Sequence, residues 1–156
     1  MNFSKRRLLA GAAFLLTAPL IYAQVRPVVE VWKDPNCGCC KDWIAHMEKE
    51  GFRAVVHETG NNNIRARLGL PVKYASCHTA IVGGYVIEGH VPATDIRKLL
   101  SEKPKALGLA VPGMPVGAPG MDGPEYGGRQ DRYDVLLVSR DGSSTVMNSY
   151  NTGVKQ

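Results

Sequence analysis

The chain has 156 residues, with 19 Lys and Arg against 14 Asp and Glu for a formal net charge of +5. Three of the basic residues, Lys5, Arg6 and Arg7, fall in the first two dozen positions, so a chain without that stretch carries 16 against 14. A surplus of two, with no basic stripe interleaved with aromatics, excludes a nucleic-acid partner, and the length suits one domain with a modest core.

Residues 1–23 read as a signal peptide: a basic start, the apolar run Leu8–Leu20, and Ile21-Tyr22-Ala23 with small Ala23 at the cleavage point. The apolar run is shorter than the ~20 residues of a membrane span. Cleavage is therefore preferred to an uncleaved anchor, and no stable membrane span is expected after it. The Arg6-Arg7 pair leaves Sec and twin-arginine export both open.

Residues 24–156 are expected to form a single domain. Val28–Trp32 is rich in β-branched residues and predicts a strand that ends at the turn Lys33-Asp34-Pro35-Asn36. From Cys39 to Glu50 the pattern is helical, with Trp43, Ile44 and Met47 on one face and Gly51 as a cap. Phe52–His57 predicts a second strand, and Asn61-Asn62-Asn63 can cap a short helix that carries Ile64 and Leu68 and stops at Gly69. Thr79–Val82 and Tyr85–Glu88 flank Gly83-Gly84, a hairpin signature, and Pro92 opens a third helix with Ile96, Leu99 and Leu100 on its apolar face. Residues 104–130 are dense in Gly and Pro and are expected to form a long loop without regular structure. Tyr133–Ser139 and Ser144–Met147 around Asp141-Gly142 predict a C-terminal hairpin. The resulting β-α-β-α-β-β-α order, with its loop and hairpin, is α/β and thioredoxin-like, and a right-handed crossover makes the first βαβ unit parallel.

All four cysteines lie in two places: Cys37, Cys39 and Cys40 in the stretch DPNCGCCK at 34–41, and Cys77 beside His78. The first three sit between a strand and a helix, where unpaired amide groups and the positive end of the helix dipole stabilise thiolate. A thiolate is both a nucleophile and a metal ligand, so location alone leaves structural disulfide, thiol redox and metal binding open. A thioredoxin-like order brings the loop before the third strand onto the Cys37–Cys40 turn. Thioredoxins carry a proline in that loop; here it reads Ala75-Ser76-Cys77-His78-Thr79. A soft ligand in place of a shielding proline favours metal. A Cys37–Cys40 bridge would close a very short loop and stabilise little, while a bridge between adjacent Cys39 and Cys40 would be strained.

Adjacent Cys39 and Cys40 project differently and suit sulfurs that bridge several ions, and soft donors select Cu(I). Met114 and Met121 on the Gly/Pro loop supply candidate thioethers, and His78 and His90 candidate imidazoles; Met47 and Met147 fit the core better. His46 on a helix and His57 at a strand end lie far from any cysteine in sequence and read as structural or exposed. No Ser-His-Asp set, phosphate-cradling loop or nucleotide fingerprint is present.

DPNCGCCK at 34–41, SCHT at 76–79, EGHVP at 88–92 and GLAVPGMPVGAPGM at 108–121 together resemble the CopG-like family of exported bacterial copper-resistance proteins, once known only as a domain of unknown function. The resemblance runs from about Val28 to Tyr150. It implies a thioredoxin-like fold, a periplasmic location, and Cu(I) held by Cys37, Cys39, Cys40 and Cys77, with more than one ion per site. The expected partners are copper ions and other periplasmic copper-handling proteins. A copper buffer or carrier and a copper- or thiol-dependent oxidoreductase both remain open as activities.

Overall fold

The computed structural model describes residues 26–153; the expected signal peptide and its cleavage point lie outside them. Strand β1, Val28–Lys33, forms where the β-branched run predicts it, and its side chains alternate in burial, with Val29 and Val31 fully buried. It feeds helix α1, Gly38–Lys49, whose buried Cys40, Trp43 and Met47 lie on one face. Strand β2, Arg53–His57, returns parallel to β1, the pairing expected of a right-handed crossover. Helix α2, Asn62–Arg67, and a single 3-10 turn at Val72–Tyr74 lead into β3, His78–Val82. β3 runs antiparallel to β1 and forms a hairpin with β4, Tyr85–Glu88. The turn residues Gly83 and Gly84 both have positive φ, 56° and 85°, as a two-residue hairpin requires. Helix α3, Ala93–Glu102, follows, with Ile96 and Leu99 fully buried.

The Gly/Pro stretch departs from expectation. It contributes a short strand, β5, at Gly108–Ala110, parallel to β4, and a 3-10 turn at Pro124–Tyr126. The reason lies in Gly108: a Cβ there would overlap the Val86 backbone, so only glycine lets the chain lie this close to β4. Strand β6, Tyr133–Val138, pairs with β5, and β7, Ser144–Tyr150, pairs with β6 and runs three residues past the expected end. The C-terminal hairpin therefore extends one seven-stranded sheet, in the order β2-β1-β3-β4-β5-β6-β7.

The core has two parts. Trp43, Met47, Ile96 and Leu99 from α1 and α3 pack on Val29, Val31, Ile87 and Leu109 of the sheet. Leu70 and Tyr74 pack against Val86, Ala110 and Val138, which alternate to the opposite face. The register pairs Lys33 with His78, Thr79 with Glu88, and Glu88 with Ala110. One edge of the sheet thus gathers the end of β1, the start of β3 and the ends of β4 and β5, and the cysteines stand there.

Candidate metal centre

The turn that carries the first three cysteines is held from below by Lys33. Its ammonium group is buried and donates to the carbonyls of Asp34 at 2.9 Å and Pro35 at 3.4 Å, and to Glu58 Oε1 at 3.1 Å. Asp34 Oδ1 accepts the Asn36 N–H, and the Asp34 carbonyl accepts the Cys37 N–H. Cys37 is the N-cap of α1, so Cys39 and Cys40 fall in the first helical turn, where unpaired amides and the helix dipole favour negative charge. Cys37 and Cys40 are joined in a disulfide, with Cys39 and Cys77 as free thiols. In this form two of the four expected thiolate ligands are tied up, and Cys37 and Cys40 can act as ligands only after reduction.

Cys77 meets the other sulfurs across 38 positions of sequence: its Sγ lies 3.8 Å from that of Cys39, which lies 3.6 Å from that of Cys37. All four sulfurs are within 4.8 Å of one another. Metal–thiolate bonds of about 2.3 Å put two sulfurs on one ion no more than about 4.6 Å apart, so this spacing fits shared or neighbouring ions.

A polar cluster that sequence reasoning missed fixes the Cys77 loop. Glu88, fully buried, accepts the Ser76 N–H at 2.7 Å and the Arg65 Nε–H at 2.8 Å on one oxygen, and the Thr79 hydroxyl on the other. Arg65 also donates to the Ser76 carbonyl at 2.8 Å. Asn61 occupies the N-cap position of α2, as expected, but its amide donates across to Ser76 O and Thr79 Oγ1 instead of capping the helix. The one legible signal was an acid, Glu88, in a strand otherwise apolar. A buried carboxylate needs a partner, and Arg65 was a candidate.

Two imidazoles complete the cluster. His90 Nδ1 donates to the Pro119 carbonyl at 2.8 Å, which assigns its proton to Nδ1 and leaves the Nε2 lone pair facing Cys77 Sγ at 3.2 Å. His78 Nδ1 lies 3.4 Å from the same sulfur, while its Nε2 is buried without a hydrogen-bond partner among the described residues. The His78 ring packs on Trp43 at 4.4 Å and edge-on to His90 at 5.1 Å. Cys77, His78 and His90 form a second set of donors within 4.8 Å of one another. Burial lowers both imidazoles below their ordinary range, His78 strongly and with a further push from His90, so both are neutral at pH 7 and have a lone pair to offer. Burial first, then Cys39, pushes the Cys77 thiol up to about 12. Cys77 is therefore protonated until a cation replaces its proton.

The methionines differ. Met121 is buried, and its sulfur accepts the Tyr126 hydroxyl at 3.4 Å. Met114 is 53% exposed and shares a surface hollow with Cys77. His46 accepts the Ala93 N–H at the start of α3, and His57 pairs with Glu30 at 2.8 Å, so both serve packing or surface roles away from the sulfurs.

Four sulfurs and two neutral imidazoles at one edge of a mixed α/β sheet define a small protein with a soft-donor centre able to hold metal. Residues 74–121 match a family described as "Protein of unknown function, DUF411". Two solved structures, Form 2 and Form 1 of copper resistance protein CopG, are each 46% identical to this chain and cover 81% of it. The chain covers 99% and 98% of them, with TM-scores of 0.75 and 0.74. This chain belongs to the CopG family of copper resistance proteins. No curated protein matches it. Among the described residues no helix is long and apolar enough to cross a membrane.

Proposed function

We propose that this protein binds Cu(I) in the periplasm as part of copper resistance, at a thiolate-bridged site holding more than one ion. The observation that carries the reading is the 3.8 Å approach of the Cys39 and Cys77 sulfurs from opposite loops, with His90 Nε2 on the same Cys77 sulfur. Soft thiolate, thioether and imidazole donors select Cu(I) among the common metals, and the two similar solved structures described above are of a copper resistance protein. Once Cys37 and Cys40 are reduced, four thiolates bridge the ions, and His78 and His90 supply neutral donors on the Cys77 side. Met121 is the least available donor, because its sulfur already accepts a hydrogen bond. A thioredoxin-like scaffold is supported by the β-α-β-α-β-β-α order and by β1 standing parallel to β2 and antiparallel to β3. The basic and apolar start of the chain supports export, and other periplasmic copper-handling proteins are the natural donors and acceptors.

Anaerobic titration of the reduced protein against a Cu(I) chelator tests this reading. More than one Cu(I) per chain, bound in preference to Zn(II), is expected. One equivalent indifferent to Cys77, or tight zinc binding without copper preference, overturns it.

The Cys37–Cys40 disulfide at the start of α1 favours a second reading, a copper- or thiol-dependent oxidoreductase. Oxidation of the Cys37 and Cys40 thiols to the disulfide releases two electrons and two protons, which balances reduction of two Cu(II) to two Cu(I). Catalytic turnover with a thiol donor and Cu(II) would separate an oxidoreductase from a buffer, which binds and stops.

A further inference from the structure

We propose that Met114 is a capture ligand at the port through which a soft monovalent cation reaches Cys77, and not a resident member of the centre. This rests on the Cu(I) reading above. Val72, Ala75, Ser76, Cys77, Gly113 and Met114 line an open hollow of about 480 Å³, so the Cys77 side of the centre faces solvent beside a thioether. Val72 and Met114 are 81% and 53% exposed, whereas the His78 and His90 rings behind Cys77 are fully buried.

Met114 is fixed beside Cys77 by its own backbone. Gly113 N–H donates to the Ala75 carbonyl at 3.0 Å, and the Ser76 hydroxyl donates to the Gly113 carbonyl. The Gly/Pro loop is thereby clasped to the cysteine loop one residue before Met114. Arg65 also lines the hollow, but Glu88 pairs with its guanidinium, which reduces its repulsion of an incoming cation.

The chemistry of the thioether suits capture. A neutral sulfur needs no deprotonation and cannot be lost to a disulfide, so it takes Cu(I) at any pH. Weak neutral ligation followed by exchange onto a thiolate speeds loading without adding to the final affinity. Met121, seven residues on, has the opposite environment: buried, hydrogen-bonded and packed in the core.

Stopped-flow transfer of copper from the Cu(I)–bicinchoninate complex to the reduced full chain decides the matter, with wild type and Met114→Leu compared. Leu keeps the bulk and removes the sulfur. We expect Met114→Leu to load about tenfold more slowly, a scale usual for a changed encounter step, with unchanged final copper per chain and unchanged affinity. An unchanged rate overturns the port. A lost copper equivalent or weakened affinity also overturns it, by making Met114 a resident ligand. If the reduced wild type takes up no Cu(I), the metal reading itself fails and the port falls with it.

Discussion

Arg65→Leu tests the buried clamp that holds the Cys77 loop. Arg65 and Glu88 are 7% and 0% exposed, and the substitution removes donors at 2.8 Å to Glu88, 2.8 Å to Ser76 O and 2.9 Å to Asn62 Oδ1. Breaking a buried pair by deleting one partner costs about 3–5 kcal/mol, because the other charge is left without compensation. Here Ser76 O keeps the Asn61 amide at 3.1 Å, and Glu88 keeps the Ser76 N–H and the Thr79 hydroxyl. The loss therefore falls at the lower end, about 3 kcal/mol. At a urea slope of about 2 kcal/mol per molar, the unfolding midpoint falls by about 1.5 M. The effect also depends on pH. Burial raises the Glu88 carboxyl above its ordinary value, against the pull of Thr79, Ser76 and Arg65. A carboxyl raised on folding contributes fully below its unfolded pKa, and that contribution is lost as pH rises through the folded value. Without Arg65 the folded value moves higher still, so the deficit is largest at neutral pH and shrinks as acid protonates Glu88. Adding Glu88→Gln to Arg65→Leu removes the charge, keeps an acceptor for Ser76, and should recover part of the loss at neutral pH. A loss under about 1 kcal/mol, the scale of a surface pair, or a loss equal at about pH 5 and about pH 8, would refute the reasoning.

Three further outcomes follow from the geometry of the centre. Cys77→Ser removes the sulfur that approaches from the opposite loop, and should sharply reduce Cu(I) per chain in an anaerobic chelator titration. Gly120→Ala places a Cβ 2.5 Å from Trp43 N and 2.8 Å from Cys39 O at a residue with φ 80°. It should push the Pro119 carbonyl away from His90 and destabilise the fold by at least about 1–2 kcal/mol, read by urea unfolding. Because the Cys77 thiol is held up to about 12, Cu(I) loading at pH 7 should release its proton, and affinity should rise about tenfold per pH unit for each thiol displaced. Titration in weak buffer with a pH indicator checks this, and loading without proton release would contradict it.

Much of this protein was legible before folding is considered. Local patterns marked β1, α1, the Gly83-Gly84 hairpin and α3, because alternation, helical periodicity and turn glycines act over a few neighbouring residues. The cluster at residues 37–40 at a helix start, and the loop carrying Cys77 before the third strand, were also readable, since element order alone brings them to one edge of the sheet. Other features were not. Gly108 looked like one more glycine in a loop; only its approach to the Val86 backbone makes it a strand residue. The Pro119 carbonyl that orients His90 is a main-chain atom with no side-chain signature. The Arg65–Glu88 clamp joins positions 23 residues apart whose pairing is decided by shared burial.

The residue types alone determined the donor chemistry: soft sulfurs, imidazoles and a dipole-facing turn are properties of composition and local order. Tertiary structure decided which donors share space and in what state. It joined Cys37 to Cys40, left Cys39 and Cys77 as thiols 3.8 Å apart, buried Met121 and left Met114 at the surface. Distance and burial depend on how distant segments pack, and in this chain that packing turns on a glycine contact and a buried ion pair that no local pattern encodes.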